Sequence, residues 1–260
     1  IRFILVCIVV IGYLILSIPI LLVEWIIGRF SPEKKDISSL RIIQAVFRFI
    51  LKITGVKITV IGEENVPKDT PVLYIGNHRS YFDILLTYSR CPIRTGYIAK
   101  KRDGENSSSF HMDALSPLFF LDRKDIKQGL KTILTAVDKV KSGISICIFP
   151  EGTRNRNKDE LDMLPFHEGS FKIATKANCP IIPIAISNSA NIFEAHFPKN
   201  LLQKVVVEYG KPIYPDELSK EDKRHVGEYT QNVIREMLIK NKPLTEKYKT
   251  ITRACLKKAL

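Results

Sequence analysis

The chain has 260 residues, 45% of them hydrophobic, and a formal net charge of +13 at pH 7, which allows one sizeable core with added segments. So basic a balance favours an anionic partner: nucleic acid, an anionic membrane face or a phosphorylated small molecule. The five cysteines are scattered, with no CxxC and no Cys/His cluster, which argues against a cysteine-held metal and indicates reduced thiols.

The N-terminal segment predicts a membrane helix. Phe3–Val23 is a run of 21 residues without a charged side chain, long enough to cross a hydrocarbon core of about 30 Å. Gly12 and Pro19 leave a kinked or re-entrant hairpin open as an alternative. Trp25 suits an interfacial anchor, and a cytoplasmic side is predicted downstream because basic residues follow. These residues are Arg29, Lys34, Lys35 and Arg41.

Residues Leu40–Thr54 show apolar side chains at helical spacing, with basic and polar ones between them. The pattern predicts a helix with two open interpretations: packing on a core, or lying in a membrane interface with its basic side chains toward headgroups. Val56–Ile61 then alternates and predicts a strand that ends at Gly62.

The next stretch, Val72–Gly76, is an apolar run that predicts a buried strand, and Ile84 begins a helical pattern. Asn77-His78-Arg79-Ser80-Tyr81-Phe82-Asp83 lies between them, where α/β folds usually hold ligand sites. On one helix, His78 and Asp83 would point about 140° apart. They can meet if His78 lies in the loop and Ser80 caps a helix that holds Asp83 in its first turn.

Asp83 therefore has two compatible interpretations. One is a capping-box carboxylate, Ser-x-x-Asp, at a helix start. The other is a group that orients the imidazole of His78, which by itself suits either a structural hydrogen bond or a proton transfer.

Further along the chain, strand and helix patterns alternate, which predicts βαβ crossovers, parallel pairing and an α/β fold. The predicted strands are Thr95–Ala99, Pro117–Leu121, Ile144–Phe149, Ile181–Ile186 and Lys204–Tyr209. The predicted helices are Ile126–Val140, Gly169–Lys176 and Glu221–Lys240, with a basic tail to Leu260.

A second motif, Phe149-Pro150-Glu151-Gly152-Thr153-Arg154, follows the predicted strand that ends at Phe149. Its turn amides and arginine fork suit a phosphate, although an ordinary turn with an exposed arginine has the same composition. Lys100, Lys101 and Arg123 also follow strand-like runs, so parallel strands would gather these cations at the edge that holds His78. No Gly-x-Ser-x-Gly, P-loop, Gly-x-Gly-x-x-Gly or His-Glu-x-x-His occurs, and these are the usual signatures of serine hydrolases, nucleotide sites and zincins.

The pairing of Asn77-His78-x4-Asp83 with Phe149–Arg154 resembles the glycerolipid acyltransferase family, most closely its bacterial 1-acylglycerol-3-phosphate acyltransferases. Phe120-Leu121-Asp122-Arg123 and the proline strand Ile181–Ile184 are also similar to family segments. The likeness covers roughly residues 55 to 215. It implies a central, mostly parallel sheet flanked by helices, with an N-terminal membrane-associated helical segment.

The resemblance also implies acyl transfer from an acyl thioester, on coenzyme A or acyl carrier protein, to the free hydroxyl of lysophosphatidate, without a further cofactor or a metal. We expect His78 to be the general base and Asp83 to orient it. The residues expected to contact substrate are Asn77, Lys100, Arg123, Glu151, Gly152, Thr153 and Arg154.

Three segments are predicted: membrane-anchoring or interfacial helices at 1–54, the acyltransferase α/β domain at 55–215 and a basic helical tail at 216–260. The expected location is the cell membrane, with the catalytic domain on the cytoplasmic face, an anionic membrane surface as partner and no nucleic acid. Three alternatives are open: another acceptor (glycerol 3-phosphate or a lysophospholipid), a membrane phosphoesterase with a metal, and a non-catalytic basic protein that binds anionic lipid.

Overall fold

The computed structural model describes residues 2–100, 118–121, 126–196 and 203–258. These residues form seven strands of one sheet, here numbered in chain order. They are β1 (Lys57–Ile61), β2 (Leu73–Gly76), β3 (Thr95–Lys100), β4 (Leu118–Leu121), β5 (Ser145–Ile148), β6 (Ile181–Ser187) and β7 (Lys204–Tyr209). The order across the sheet is β1-β7-β6-β2-β5-β3-β4. Only the β6–β7 pairing is antiparallel among these strands, so the predicted mostly parallel sheet is confirmed.

Seven α-helices are present in the described ranges. They are α1 (Arg2–Phe30), α2 (Pro32–Thr54), α3 (Phe82–Tyr88), α4 (Ile126–Lys141), α5 (Lys172–Ala177), α6 (Lys220–Arg224) and α7 (Val226–Lys258). The helix predicted over Gly169–Lys176 is split, because a 3₁₀ turn at Glu168–Phe171 precedes α5. The final helix is likewise interrupted at His225, whose φ of −126° and ψ of 43° lie outside the helical region.

Alternation along the strands gives the sheet two buried faces, since successive side chains of a strand point to opposite sides. On β2, Tyr74 belongs to the cluster covered by α2 and α3. Leu73 and Ile75 belong to the cluster covered by α4, α5 and α7. Leu73 and Ile75 are fully buried, and each such side chain contributes roughly 1.5–3 kcal/mol to folding. The sheet is thus held between two helical layers, and the ends of its strands are left to form loops.

The two N-terminal helices pack as a hairpin. Glu24, buried on α1, accepts hydrogen bonds from the hydroxyls of Ser38 and Ser39 on α2, at 2.7 and 3.0 Å. Residues Ile4–Phe30 form a helix that is long and apolar enough to cross a membrane by length and composition. On α2, Leu40, Ile43, Ile50 and Leu51 are buried, and Val46 and Phe47 are partly buried against the same core cluster. This agrees with packing on the core, the first of the two interpretations.

Helix α2 begins at Pro32, eight residues before the predicted start at Leu40. Proline is well tolerated in the first turn of a helix, and the first buried side chain of α2 is Ser39. Apolar periodicity therefore starts only where the helix meets the core. The predicted segment boundaries at 54/55 and 215/216 stay predictions, while α2 and α7 each contribute side chains to a core cluster.

Candidate active site

The predicted site residues lie at one edge of the sheet. β2, β5 and β3 are parallel neighbours, so the loops that follow them leave from the same edge. His78 follows β2, Glu151 and Arg154 follow β5, and Lys100 is the last residue of β3. The predicted common edge is confirmed for these four. Arg123 and Lys101 lie outside the described residues.

His78 and Asp83 are in contact, as the spacing predicts for a loop residue beside a helix start. The distance from His78 Nδ1 to Asp83 Oδ2 is 2.9 Å. Helix α3 begins at Phe82, and Tyr81 rather than Ser80 occupies the cap position. The capping interaction nevertheless forms, because Ser80 Oγ accepts a hydrogen bond from Phe82 N at 3.0 Å and Asp83 Oδ2 accepts one from Ser80 N at 2.8 Å. Asp83 therefore serves the helix start and the imidazole together.

The carboxylate of Asp83 is fully buried, and one of its two oxygens accepts all of its hydrogen bonds within the described residues. Besides the contact with His78, Oδ2 accepts a hydrogen bond from Arg79 N at 2.7 Å. Oδ1 has no partner within the described ranges. Since a carboxylate only accepts hydrogen bonds, Nδ1 of His78 carries the proton in this pair. Nε2 then holds the lone pair and has no hydrogen-bond partner in the described part of the chain, so it can accept a proton from a substrate.

The imidazole is also fixed through its face. It stacks on the ring of Phe149, with centroids 4.5 Å apart and planes 15° from parallel. The side chain of His78 is 16% exposed, so it is accessible from outside without being free to rotate. A pre-positioned ring of this kind reduces the reorganisation needed for proton transfer.

Glu151 holds the backbone beneath His78. Its side chain is buried, Oε1 accepts from His78 N at 2.8 Å and Oε2 accepts from Leu164 N at 2.9 Å. Burial raises the pKa of Glu151 above its ordinary value, and the hydrogen bonds from His78 and Leu164 oppose that rise. The carboxylate thus connects the loop after β2 to a segment that precedes α5.

Replacing Glu151 with glutamine should lower the free energy of unfolding by about 1–3 kcal/mol, the usual cost of an unsatisfied buried hydrogen-bonding group. A glutamine amide has one acceptor oxygen, so its NH₂ group would face the N–H of either His78 or Leu164. Denaturant unfolding of the detergent-solubilised protein measures the change, with the exposed Glu221→Gln as a matched control. Equal stability of Glu151→Gln and wild type would contradict the double-acceptor role.

Arg154 lies beside Tyr81 at the mouth of the site. Its guanidinium carbon is 3.6 Å from the centroid of the Tyr81 ring, and Nη2 donates to the Tyr81 hydroxyl at 3.0 Å. Nη1 is 3.5 Å from Oε1 of Glu194. With a side chain 22% exposed, the arginine is oriented by an aromatic face and its donors remain at the surface, as a phosphate site requires.

The other predicted substrate contacts have varied surroundings. Asn77 is buried, and its side-chain amide pairs with the backbone of Ile186 on β6, at 3.0 Å to the carbonyl oxygen and 2.8 Å from the amide nitrogen. Gly152 adopts a φ of 69°, and its N–H donates within the turn to Phe149 O at 3.0 Å. Thr153 is exposed. The substrate-binding roles of these three residues stay predictions.

Three site residues were missed by sequence reasoning. Asn155 N donates to His78 O at 2.7 Å, Arg79 donates to backbone carbonyls of Asn157 and Asp159, and Glu194 contacts the start of α3. Arg79 lies within the first motif and Asn155 directly follows the second, so their positions in the sequence could have marked both as site residues. Glu194 lies in no motif.

In the described parts of the chain, no three His, Cys, Asp or Glu side chains form a group able to hold a metal ion, and the metal-free reaction stays a prediction.

Comparison with known proteins extends the likeness beyond the motifs. The Acyltransferase family model matches residues 57–187. The 1-acyl-sn-glycerol-3-phosphate acyltransferase of Saccharomyces cerevisiae is 31% identical over 194 residues, 74% of this chain and 62% of that protein. The enzyme of the same name from Borreliella burgdorferi is 30% identical over 202 residues, 76% of each chain. The chain thus spans less than two thirds of the yeast relative and three quarters of the bacterial one.

The fold has a counterpart in a solved structure, that of the 1-acyl-sn-glycerophosphate acyltransferase PlsC from Thermotoga maritima. The TM-score is 0.75 and the identity 22%, over 93% of this chain and 95% of that one. At this identity the likeness concerns the fold. With a family model that matches half of the chain and a relative 30% identical over three quarters of each protein, this chain belongs to the acyltransferase family.

Proposed function

We propose that this protein transfers a fatty acyl group from an acyl thioester to the free hydroxyl of a 1-acylglycerol 3-phosphate, which yields phosphatidate for phospholipid synthesis. The observation that carries the proposal is the imidazole of His78, fixed by a buried Asp83 at 2.9 Å and lying at the sheet edge that also presents Arg154. The pairing suits an acceptor with both a hydroxyl and a phosphate. The names of the yeast and Borreliella relatives agree with this substrate class.

In the reaction, His78 acts as the general base. Nε2 removes the proton of the acceptor hydroxyl while the oxygen attacks the thioester carbonyl carbon. The tetrahedral intermediate then collapses, the carbon–sulfur bond breaks, and the imidazolium returns its proton to the leaving thiolate. Oxygen gains the acyl group and sulfur gains the proton, so the atoms balance without a protein nucleophile. Positioned proton transfer of this kind contributes roughly 10²–10⁴-fold.

Asp83 supports that step from the Nδ1 side of the ring. Its Oδ2 keeps the proton on Nδ1, which leaves Nε2 as the basic nitrogen. When His78 takes up the substrate proton, the imidazolium lies against the carboxylate of Asp83, which is buried away from solvent. The charge that develops on the ring is thereby stabilised where water cannot screen it.

Arg154 is the phosphate ligand in this proposal. Its planar guanidinium offers parallel N–H donors that match two phosphate oxygens, and its stacking on Tyr81 leaves it pre-oriented. Lys100, the last residue of β3, is proposed to assist from the same edge of the sheet. Arg123, which lies outside the described residues, is proposed to assist as well.

The donor is acyl-CoA or acyl carrier protein, and the acceptor reaches the site from a membrane. Helix α1 exposes aliphatic side chains such as Ile8, Ile15 and Leu22, which suits contact with lipid. The net charge of +13 favours an anionic membrane surface, and the basic residues after α1 favour a cytoplasmic catalytic domain.

Replacing Arg154 with alanine should raise KM for lysophosphatidate by about 10–100-fold, the loss expected for a charge-assisted bond worth roughly 1.5–3 kcal/mol. The KM for the acyl donor should change little, because Arg154 contacts the acceptor phosphate. Steady-state kinetics with each substrate varied in turn separates the two constants. An unchanged acceptor KM would remove the phosphate role.

The function itself is tested by incubating the protein with acyl-CoA and one of several acceptors, followed by product analysis. We expect phosphatidate from lysophosphatidate, and at least tenfold slower acylation of glycerol 3-phosphate and of a lysophospholipid whose phosphate is esterified. Release of inorganic phosphate would instead indicate a phosphoesterase. Salt-sensitive binding to anionic vesicles with no thioester consumed would indicate a lipid-binding protein.

A further inference from the structure

Glu194 contacts the active-site loop from a distant part of the chain. It lies in a short 3₁₀ turn, Glu194–His196, that follows β6. Its Oε2 accepts a hydrogen bond from Ser80 Oγ at 2.7 Å, and its Oε1 accepts one from Tyr81 N at 2.7 Å. Both donors belong to the loop between His78 and Asp83, so one carboxylate from a distant part of the chain holds this loop in addition to Asp83.

The contact is linked to the imidazole by a short series of hydrogen bonds. Ser80 Oγ donates to Glu194 and, with its lone pair, accepts from Phe82 N at 3.0 Å. Ser80 N donates to Asp83 Oδ2, the oxygen that meets His78 Nδ1. Displacing Ser80 therefore displaces a donor that fixes Asp83, and through Asp83 the orientation of the ring.

The surroundings favour a strong contact. The side chain of Glu194 is 21% exposed and that of Ser80 is fully buried, so water competes little for the bond between them. The bond from Tyr81 N is exposed. Charge-assisted hydrogen bonds in such places are about twice as strong as neutral ones. Glu194 also lies 3.5 Å from Nη1 of Arg154, and the side chain of Tyr81 holds the same arginine by stacking and by a hydrogen bond.

We propose that Glu194 is a positioning residue for the general base: it fixes the Ser80–Tyr81 turn, and through Asp83 it sets the orientation of His78. The inference rests on the proposed function, because it concerns the rate of the step that His78 performs. It predicts a larger effect on kcat than on the KM for the acceptor. Proton transfer depends on the orientation of the His78 ring, whereas Arg154 contacts the side chain of Tyr81 and not the backbone N–H that donates to Glu194.

The test is the steady-state kinetics of Glu194→Ala and Glu194→Gln, with exposed Glu221→Ala as control. Glu194→Ala should lower kcat by about 10–100-fold, the size of effect produced by a displacement of the order of 1 Å at a reacting group, and change acceptor KM less than about threefold. Glutamine should restore most of the rate, because its oxygen accepts from Tyr81 N and its amide donates to Ser80 Oγ. A kcat for Glu194→Ala within about twofold of wild type would overturn the proposal. A lower acceptor KM with an unchanged kcat would overturn it too, because it would show that the Glu194 carboxylate competes with the acceptor phosphate for Arg154.

A double-mutant cycle with Ser80→Ala tests whether Glu194 acts through that serine. If it does, the double variant should be slower than the slower single variant by no more than about threefold, since both remove the same link. Multiplied losses would contradict the proposed route. Thermal unfolding of each variant belongs to the comparison. If Glu194→Ala does not fold, Ser80→Ala supplies the answer, because it removes the hydrogen bond between Ser80 Oγ and Glu194: a lowered kcat supports the proposed route and a wild-type kcat overturns it.

The two proposals fail differently. If His78→Ala retains activity, the general base is wrong and the role of Glu194 fails with it. If His78→Ala is inactive while both Glu194 variants and Ser80→Ala keep wild-type kcat, only the positioning role fails.

Discussion

Replacing His78 with alanine should lower kcat for acyl transfer by about 10²–10⁴-fold. The variant loses the nitrogen that accepts the hydroxyl proton, and alanine leaves Asp83 with its two backbone donors, Arg79 N and Ser80 N. The start of α3 therefore keeps its capping interactions. Initial rates with saturating acyl-CoA and lysophosphatidate measure the effect.

The matched control is His225→Ala, because that side chain is exposed, lies between α6 and α7 and takes part in none of the hydrogen bonds or ring contacts given for the site. It should keep wild-type kcat. Both variants should unfold near the wild-type midpoint. Asp83 keeps two backbone donors when the imidazole is removed, and the ring contact of His78 among the described residues is with Phe149. If His78→Ala retained more than about a tenth of the wild-type rate, the proposed base would be wrong.

Replacing Asp83 with asparagine should lower kcat by about 30–1,000-fold, corresponding to roughly 2–4 kcal/mol for a buried charge that loses its partner. The structure makes this substitution informative. An asparagine oxygen in the place of Oδ2 keeps all three donors, from His78, Arg79 and Ser80. The amide nitrogen then takes the place of Oδ1, which has no partner in the described residues. The geometry is retained, and the charge opposite the imidazolium is lost.

Asp138→Asn, on the exposed surface of α4, is the control for a carboxylate lost elsewhere. The kinetics of Asp83→Asn should show kcat falling with little change in either KM, because Asp83 is buried and does not contact substrate. A wild-type kcat for Asp83→Asn would mean that Asp83 serves the helix start alone, the other interpretation that its sequence position permits.

The contact of His78 with Asp83 was predictable because it is local. Five positions separate the two residues, and the apolar run of β2, bounded by Pro71, gives way to a helix start within that span. Helix-start chemistry then places the carboxylate in the first turn. The common edge for His78 and Arg154 was predictable as well, since a helix between two strand patterns requires parallel pairing.

The long-range hydrogen bonds that hold the site loops in place could not be predicted from local sequence patterns. Glu151 was expected to contact substrate, and the hydrogen bonds that its carboxylate accepts from the backbone N–H groups of His78 and Leu164 were not predicted. Glu194 contacts Ser80 across 114 positions of sequence. Periodicity and turn propensity describe neighbours along the chain, and neither specifies which distant carboxylate meets a loop. These contacts appear only once the sheet order is known.

The predicted helix boundaries were wrong for a related reason. Pattern reasoning detects the buried face, so α2 was predicted from Leu40, although its solvent-facing first turns begin at Pro32. At the other end, the helix predicted from Glu221 proved to be two, because the chain bends at His225. Apolar periodicity marks only the part of a helix that is buried, and the exposed turns at a helix end do not show it.

The most direct test of the mechanism is the release of free thiol from acyl-CoA by the wild-type protein, with and without lysophosphatidate. Direct attack by the substrate hydroxyl, with His78 as base, predicts no thiol burst from acyl-CoA alone. It predicts one thiol per phosphatidate once the acceptor is added, with the steady rate lost in His78→Ala. A stoichiometric burst without acceptor, or acceptor-dependent thiol release that persists in His78→Ala, would contradict it.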